Sequence, residues 1–446
     1  MSIRLPAHGQ RPSGWVAIWL PLMLLSPSAY SISDADLTRL DAFAARVSEK
    51  SQRAVGYPVN QETDLADFYT WYNRHRLYEV VMNNVGNPRK ASPYSLNTHD
   101  FENEVVDYFA DLYGFRPGDY WGFVTASGTD GNNHGIYFGR KVLQSKSSLP
   151  PIAYVSEEAH YSIKKLADVQ NLELRQIKAN DMGQMDLADF DRQLDPARPA
   201  LVVIALGTTF KGAIDDQAGI RRILKNRLKA PFYVHLDAAL FGGYLPYADG
   251  EGWKLVNRRI QQFDSIAVSG HKFFGFDDPL GLFLTTHDTF TRLNPFHVSY
   301  LTDAVPTITC SRSAINPLKF WWKINSTRKS DFRDSANEML AGARSLERQL
   351  TQAGIRAWKN PDSNTVFFEQ PPPDIMRHYD LAPSLDPKFG KLAHFIMMPH
   401  ADAVLQDFVR DMRDWKMGRR GTADRPGRRG AVYSKAPSRT RKETQP

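Results

Sequence analysis

A lysine closes the apolar run Ser265-Ile-Ala-Val-Ser-Gly-His-Lys272, just ahead of Phe273-Phe-Gly. In a water-poor pocket such an amine loses its proton readily and condenses with an aldehyde; on an open surface it is an ordinary solvated cation. Asp237, 35 residues earlier, closes another apolar run, Phe232-Tyr-Val-His-Leu-Asp237. A carboxylate there is costly unless paired. A protonated pyridine nitrogen is one suitable partner and keeps a heteroaromatic ring electron-withdrawing; capping of the following turn is the plainer role. His160, in Glu158-Ala-His-Tyr-Ser162, follows a third apolar run and could stack on a planar ring, although most lone histidines do nothing of the kind.

Two loops complete the set. Thr125-Ala-Ser-Gly-Thr-Asp-Gly131 joins an expected strand to an expected helix, where free backbone N–H groups and the helix dipole make an anion site. Ser127, Gly128 and Thr129 are its candidates, with Ser269 and His271 as further donors to a phosphate. Gly207-Thr-Thr-Phe-Lys-Gly-Ala-Ile-Asp-Asp216 follows the most apolar strand of the chain, and the hydroxyls of Thr208 and Thr209 could bond a ring substituent or the substrate. Each segment is weak alone; their occurrence in order, all at strand ends, is not.

These residues need a scaffold that gathers strand ends. Residues 34–51 carry Leu37, Leu40, Phe43 and Val47 at helical spacing, and a loop-rich stretch follows. From about residue 101, helices (102–113, 132–143, 161–170, 220–228) alternate with apolar strands (121–125, 152–155, 200–206, 232–236, 265–269). That alternation predicts an α/β domain around a largely parallel sheet, with ligands at the carboxyl ends of the strands. A long helix over about 330–354 leads to a smaller α+β portion with strands at 365–368 and 393–398. The expected division is a leader (1–33), an N-terminal segment (34–100), a large domain (101–335), a small C-terminal domain (336–415) and a tail (416–446).

Together the five segments resemble the group II pyridoxal-5'-phosphate (PLP) decarboxylases, and among them the bacterial PLP-type histidine decarboxylases. The likeness runs from about Asp34 to Val409 and includes Gly56-Tyr-Pro58, Leu96-Asn-Thr-His-Asp-Phe-Glu102 and Asp119-Tyr-Trp-Gly122. It implies fold type I, the aspartate-aminotransferase-like α/β fold, and active sites at a homodimer interface. It further implies that Lys272 carries PLP as a Schiff base, Asp237 pairs with the pyridine nitrogen, and His160 stacks on the ring and contacts substrate. Ser127, Gly128, Thr129, Ser269 and His271 would surround the phosphate, and Thr208 would sit beside the ring. The implied reaction is decarboxylation of histidine to histamine. Serine, then an aromatic amino acid, are the alternative substrates; an aminotransferase or another PLP lyase, and a PLP-binding member without turnover, are the alternative classes. The chain departs from the family pattern in Gly275-Phe-Asp-Asp-Pro-Leu-Gly281, at Ser127 and Asp130, and across Cys310-Ser-Arg-Ser-Ala-Ile-Asn316. Two carboxylates near the cofactor bear on substrate choice.

The 446 residues, 42% hydrophobic and 24% charged, suit a soluble globular protein with a sizeable core. A single cysteine, Cys310, excludes a disulfide framework and a multi-cysteine zinc site, and no metal is expected. The net charge of +7 is local: ten Lys/Arg against Asp424 and Glu443 give residues 416–446 a charge of +8, leaving the body near −1. That tail is expected to be solvated and disordered, with no nucleic-acid partner. Near the start, Arg4 and Arg11 precede an apolar run from Trp15 to Leu25, the pattern of a secretory signal or an upstream extension, too short for a membrane span. PLP and free amino acids are supplied mainly in the cytosol, so a cytoplasmic enzyme is expected, and an exported one if the leader is cleaved.

Overall fold

The structure is a computed structural model that describes residues 32–293, 295, 297–301 and 303–419. The leader up to residue 31 and the tail from residue 420 lie outside those residues. Among the described residues, those up to Glu49 form one compact unit and those from Lys50 a second. The first is mostly helix α1 (Asp34–Ser51), as its spacing predicts, and its Leu37, Leu40, Phe43 and Val47 are exposed. No helix among the described residues is long and apolar enough to cross a membrane.

The second unit is built on seven strands: β1 (Tyr120–Thr125), β2 (Ile152–Ser156), β3 (Glu173–Ile177), β4 (Ala200–Ala205), β5 (Phe232–Asp237), β6 (Ser265–Ser269) and β7 (Gly281–Thr286). Their order across the sheet is β1-β7-β6-β5-β4-β2-β3, with only β7 antiparallel to its neighbours. Helices cover both faces, so β2, β4 and β6 are buried at every position and read as unbroken apolar runs. Thr125, Ser156, Ala205, Asp237 and Ser269 therefore end on one edge of the sheet.

Helix α2 (His99–Leu112) packs on β1, and α3 (Gly128–Lys146) crosses β5, β6 and β7. Gly135 allows the close approach of α3: a Cβ there would stand 2.3 Å from the His235 ring. His235 is a core residue that bonds Ser265 Oγ (2.8 Å) and Asn132 Oδ1 (2.9 Å), and burial pushes its pKa down to about 4.

Several boundaries differ from expectation for local reasons. Helix α3 begins at Gly128, not residue 132, because Ser127 caps it by accepting the Asp130 N–H. Strand β5 continues through Asp237. Strands β3 and β7 escaped the apolar-run criterion: β3 is an edge strand with mixed polarity, and β7 follows the lysine loop without a helix between.

After α4 (Tyr161–Val169) and α5 (Ile315–Ser326), the long helix α6 (Lys329–Gln352) leads to an antiparallel sheet of β8 (Ala357–Lys359), β9 (Thr365–Glu369), β10 (Ala382–Asp386) and β11 (Gly390–Ile396), in the order β8-β9-β11-β10. The expected strand at 393–398 thus starts earlier and stops at Ile396. Helix α7 (Asp402–Lys416) covers this sheet through Phe408, which meets Phe368 and Phe395.

One buried ion pair anchors α2. Glu102, fully buried, accepts from Arg312 and from the Val124 N–H (3.0 Å) and the Asn84 amide (3.0 Å). Replacing Glu102 with Ala would leave the Arg312 guanidinium buried without its counterion, and urea denaturation should show a loss of about 3–5 kcal/mol.

Candidate active site

Strands β5 and β6 lie side by side in parallel, with Asp237 opposite Ala267. Asp237 ends β5, and Lys272 stands in the short turn of helix that follows β6. Burial pushes the Lys272 amine down to about 8, against the Asp237 carboxylate, which favours the ammonium. Asp237 is itself buried and accepts the Ala239 N–H at 3.2 Å, so it also serves the local turn. His160 caps helix α4 from the end of the β2 loop. Its pKa is lowered by burial and by Lys272, with Asp237 pulling the other way. The structure therefore brings Lys272, Asp237 and His160 into one electrostatic neighbourhood.

The His160 tautomer follows from its partners. Its Nδ1 accepts the Ser162 N–H (3.3 Å) and lies 2.7 Å from Ser162 Oγ. In the neutral ring the proton is then on Nε2, which has no partner among the described residues.

The expected anion cradle falls at the start of α3. A Cβ on Gly128 would lie 2.1 Å from Ser269 Oγ and 3.2 Å from Ala239 Cβ, so only glycine lets this backbone approach β6. Ser127 and Thr129 flank it, and the N–H groups of the 19-residue helix carry the positive end of its dipole. Asp130 does not compete there: its carboxylate takes up the Ala126 N–H (3.0 Å) and faces His134 (3.3 Å). His271, two residues past Ser269, has its Nδ1 3.3 Å from Leu280 O. That carbonyl takes the Nδ1 proton, so donation to a phosphate through Nε2 would need the protonated ring, a form that burial and Lys272 disfavour.

Thr208 is buried in the loop after β4, its hydroxyl oxygen accepting the Ala213 N–H at 2.9 Å and its proton left for donation. Asp215 secures the same loop by accepting the Met185 and Ala205 N–H groups, and burial pushes its carboxyl up to about 6.

Sequence reasoning missed two lysines. Lys211, buried, pairs with Glu158 (3.1 Å) and Asp386 (2.6 Å). Lys319, also buried, holds Asp277 (2.8 Å) and Asp278 (3.1 Å), with Tyr69 OH 2.5 Å from Asp277. The two carboxylates of the unusual 275–281 loop are thus shared by one ammonium. A lysine beside Thr208 and Thr209 was a visible signal; the position of Lys319, on a helix, carried none.

Residues 139–357 match the pyridoxal-dependent decarboxylase conserved domain. The chain is 33% identical to histidine decarboxylase of Vibrio campbellii (strain ATCC BAA-1116), covering 85% of this chain and 96% of the relative. The chain belongs to the pyridoxal-dependent decarboxylase family. It is 32% identical to histidine decarboxylase of Morganella morganii (85% of this chain, 98% of the relative) and 32% identical to serine decarboxylase 1 of Oryza sativa subsp. japonica (81% and 71%). The fold matches that of L-methionine decarboxylase from Streptomyces sp. 590, with a TM-score of 0.73 and 22% identity over 86% of this chain and 96% of that one. The protein is a PLP-dependent amino-acid decarboxylase of fold type I.

If Lys272 is the lysine that captures the PLP aldehyde, its deprotonated form does so. With its pKa near 8, the rate of PLP capture by the apo-decarboxylase should rise about tenfold from pH 7 to pH 9, read by stopped-flow absorbance. Replacing Lys272 with Ala should abolish the visible band. A rate flat over that range, or a band that survives, would remove this lysine from the role.

Proposed function

We propose that the decarboxylase converts L-histidine to histamine and carbon dioxide. The observation that carries the site is the convergence of Lys272 and Asp237, at the ends of adjacent strands, with His160, past the end of β2 on the same side of the sheet. The choice of histidine is supported by two bacterial histidine decarboxylases that correspond to this chain over 96% and 98% of their lengths, against 71% for the rice serine decarboxylase. Serine is the second reading, because that relative is equally similar over the aligned part.

Bound PLP supplies the electron sink for the pair left when the Cα–carboxylate bond breaks. In this reading Lys272 Nζ holds the aldehyde carbon, and the Asp237 carboxylate keeps the pyridine nitrogen protonated. The α3 N–H groups at Gly128 and Thr129, with Ser127, Ser269 and His271, hold the phosphate. Thr208 donates its hydroxyl proton beside the ring. His160, neutral and with its proton on Nε2, stacks on the ring and offers that N–H toward the substrate. Each turnover leaves one carbon dioxide and places one proton on Cα.

The same reading takes the protein as a cytoplasmic homodimer with active sites at the interface. The exposed apolar positions of α1 offer surface for a second copy to cover. Holoenzyme incubated separately with carboxyl-labelled L-histidine, L-serine and L-phenylalanine should release labelled carbon dioxide with the highest kcat/KM from histidine. Preference for serine would transfer the assignment, and no release from any would end it.

A further inference from the structure

The loop after β4 is fastened to the C-terminal sheet at several points. The Phe210 ring stacks on His394 at 4.4 Å, and Phe210 O meets His394 Nδ1 at 2.8 Å. The Asn360 amide donates to Lys211 O at 2.9 Å. At the centre is the Lys211 ammonium, whose side chain is 5% exposed, between Glu158 Oε1 and Asp386 Oδ2. Asp386 closes β10 and also accepts the Lys388 and Phe389 N–H groups at 2.8 and 2.9 Å. Glu158 stands two residues before His160, and Ala159 between them is buried.

The triad therefore spans three pieces of chain: the loop that carries His160, the loop that carries Thr208, and the end of an antiparallel strand. Its charge balance makes the geometry one-sided. With Lys211 present, two carboxylates share one cation; without it they face each other no farther apart than the two ion-pair distances combined, and half-buried like charges repel strongly. Glu158 is the more exposed of the two (27% against 8%) and Asp386 is held by two backbone N–H groups, so the Glu158 side, two residues from His160, is the one free to move.

We propose that Lys211 is a positioning residue for decarboxylation, holding the Glu158 loop against the C-terminal sheet so that His160 keeps its place over the cofactor. The proposal rests on the reading of His160 as the residue that stacks on PLP, and the experiment separates the two.

In the full-length protein, Lys211→Met should raise the PLP dissociation constant and lower kcat, each by about tenfold, the scale expected when a catalytic ring is misplaced by a fraction of an ångström to an ångström. Lys211→Arg should restore both to within about threefold, and Lys211→Met/Asp386→Asn should be less impaired than Lys211→Met because one repelling carboxylate is gone. The decisive readout is the cycle with His160→Ala: in that background Lys211→Met should change the PLP dissociation constant and kcat by less than about twofold. Effects that multiply in full, or a Lys211→Met protein that only melts at a lower temperature, would make the triad merely structural and overturn the proposal. Should Lys211→Met fail to fold, Asp386→Asn alone runs the same cycle, with a smaller loss expected and the same two outcomes. His160→Ala with wild-type PLP affinity and kcat would instead sink the His160 reading itself, whatever Lys211 does.

Discussion

The rest of the site depends on keeping an amine and a carboxylate together at the edge of a sheet that is otherwise closed to water. Taking the Lys272 ammonium out of water is costly, and the Asp237 carboxylate on the adjoining strand offsets only part of that cost. The amine is left near the balance point between its two forms, the condition that the proposed Schiff-base role asks of it. A parallel sheet buried on both faces has no room for such groups along its strands. It presents them at its ends, and the two strands concerned are immediate neighbours.

The other parts of the site are held to that edge by different physics. Helix α3 is brought in by close backbone packing, through Gly128 against Ser269 and Gly135 against His235, so its N–H groups stand at the end of β6. The loop after β4 is held by charge and by stacking against a second sheet that carries none of the expected catalytic residues. His394 and Asp386 of that sheet, with Asn360 just past β8, hold Phe210 and Lys211 in the loop that bears Thr208.

The departures from the family pattern acquire a physical meaning in this setting. Asp277 and Asp278 are drawn to the buried ammonium of Lys319 and to Tyr69. Their loop thereby becomes a braced segment following the lysine. Asp130, the shorter acid in the α3 start, still reaches the Ala126 N–H and His134, and His134 Nε2 accepts the Ile308 N–H at 2.9 Å. The cradle is thus tied to the segment near Cys310.

The sequence by itself determined the α/β class, most strands of the main sheet and the order in which the five chemical segments appear. These are written in short-range patterns: unbroken apolar runs for strands buried on both faces and helical spacing for α1; the serine cap that starts α3 four residues before the expected boundary was not among them. Lys272, Asp237, His160 and the Ser127–Thr129 turn were legible because each follows such a run directly. What only the tertiary structure decided is the set of contacts between distant parts of the chain. Glu102 meets Arg312 across 210 residues, and Lys211 meets Asp386, from a different sheet. No local pattern announces such pairs, because an ion pair is specified by where the chain returns, and a lysine reads alike in sequence whether it ends in water or between two buried carboxylates.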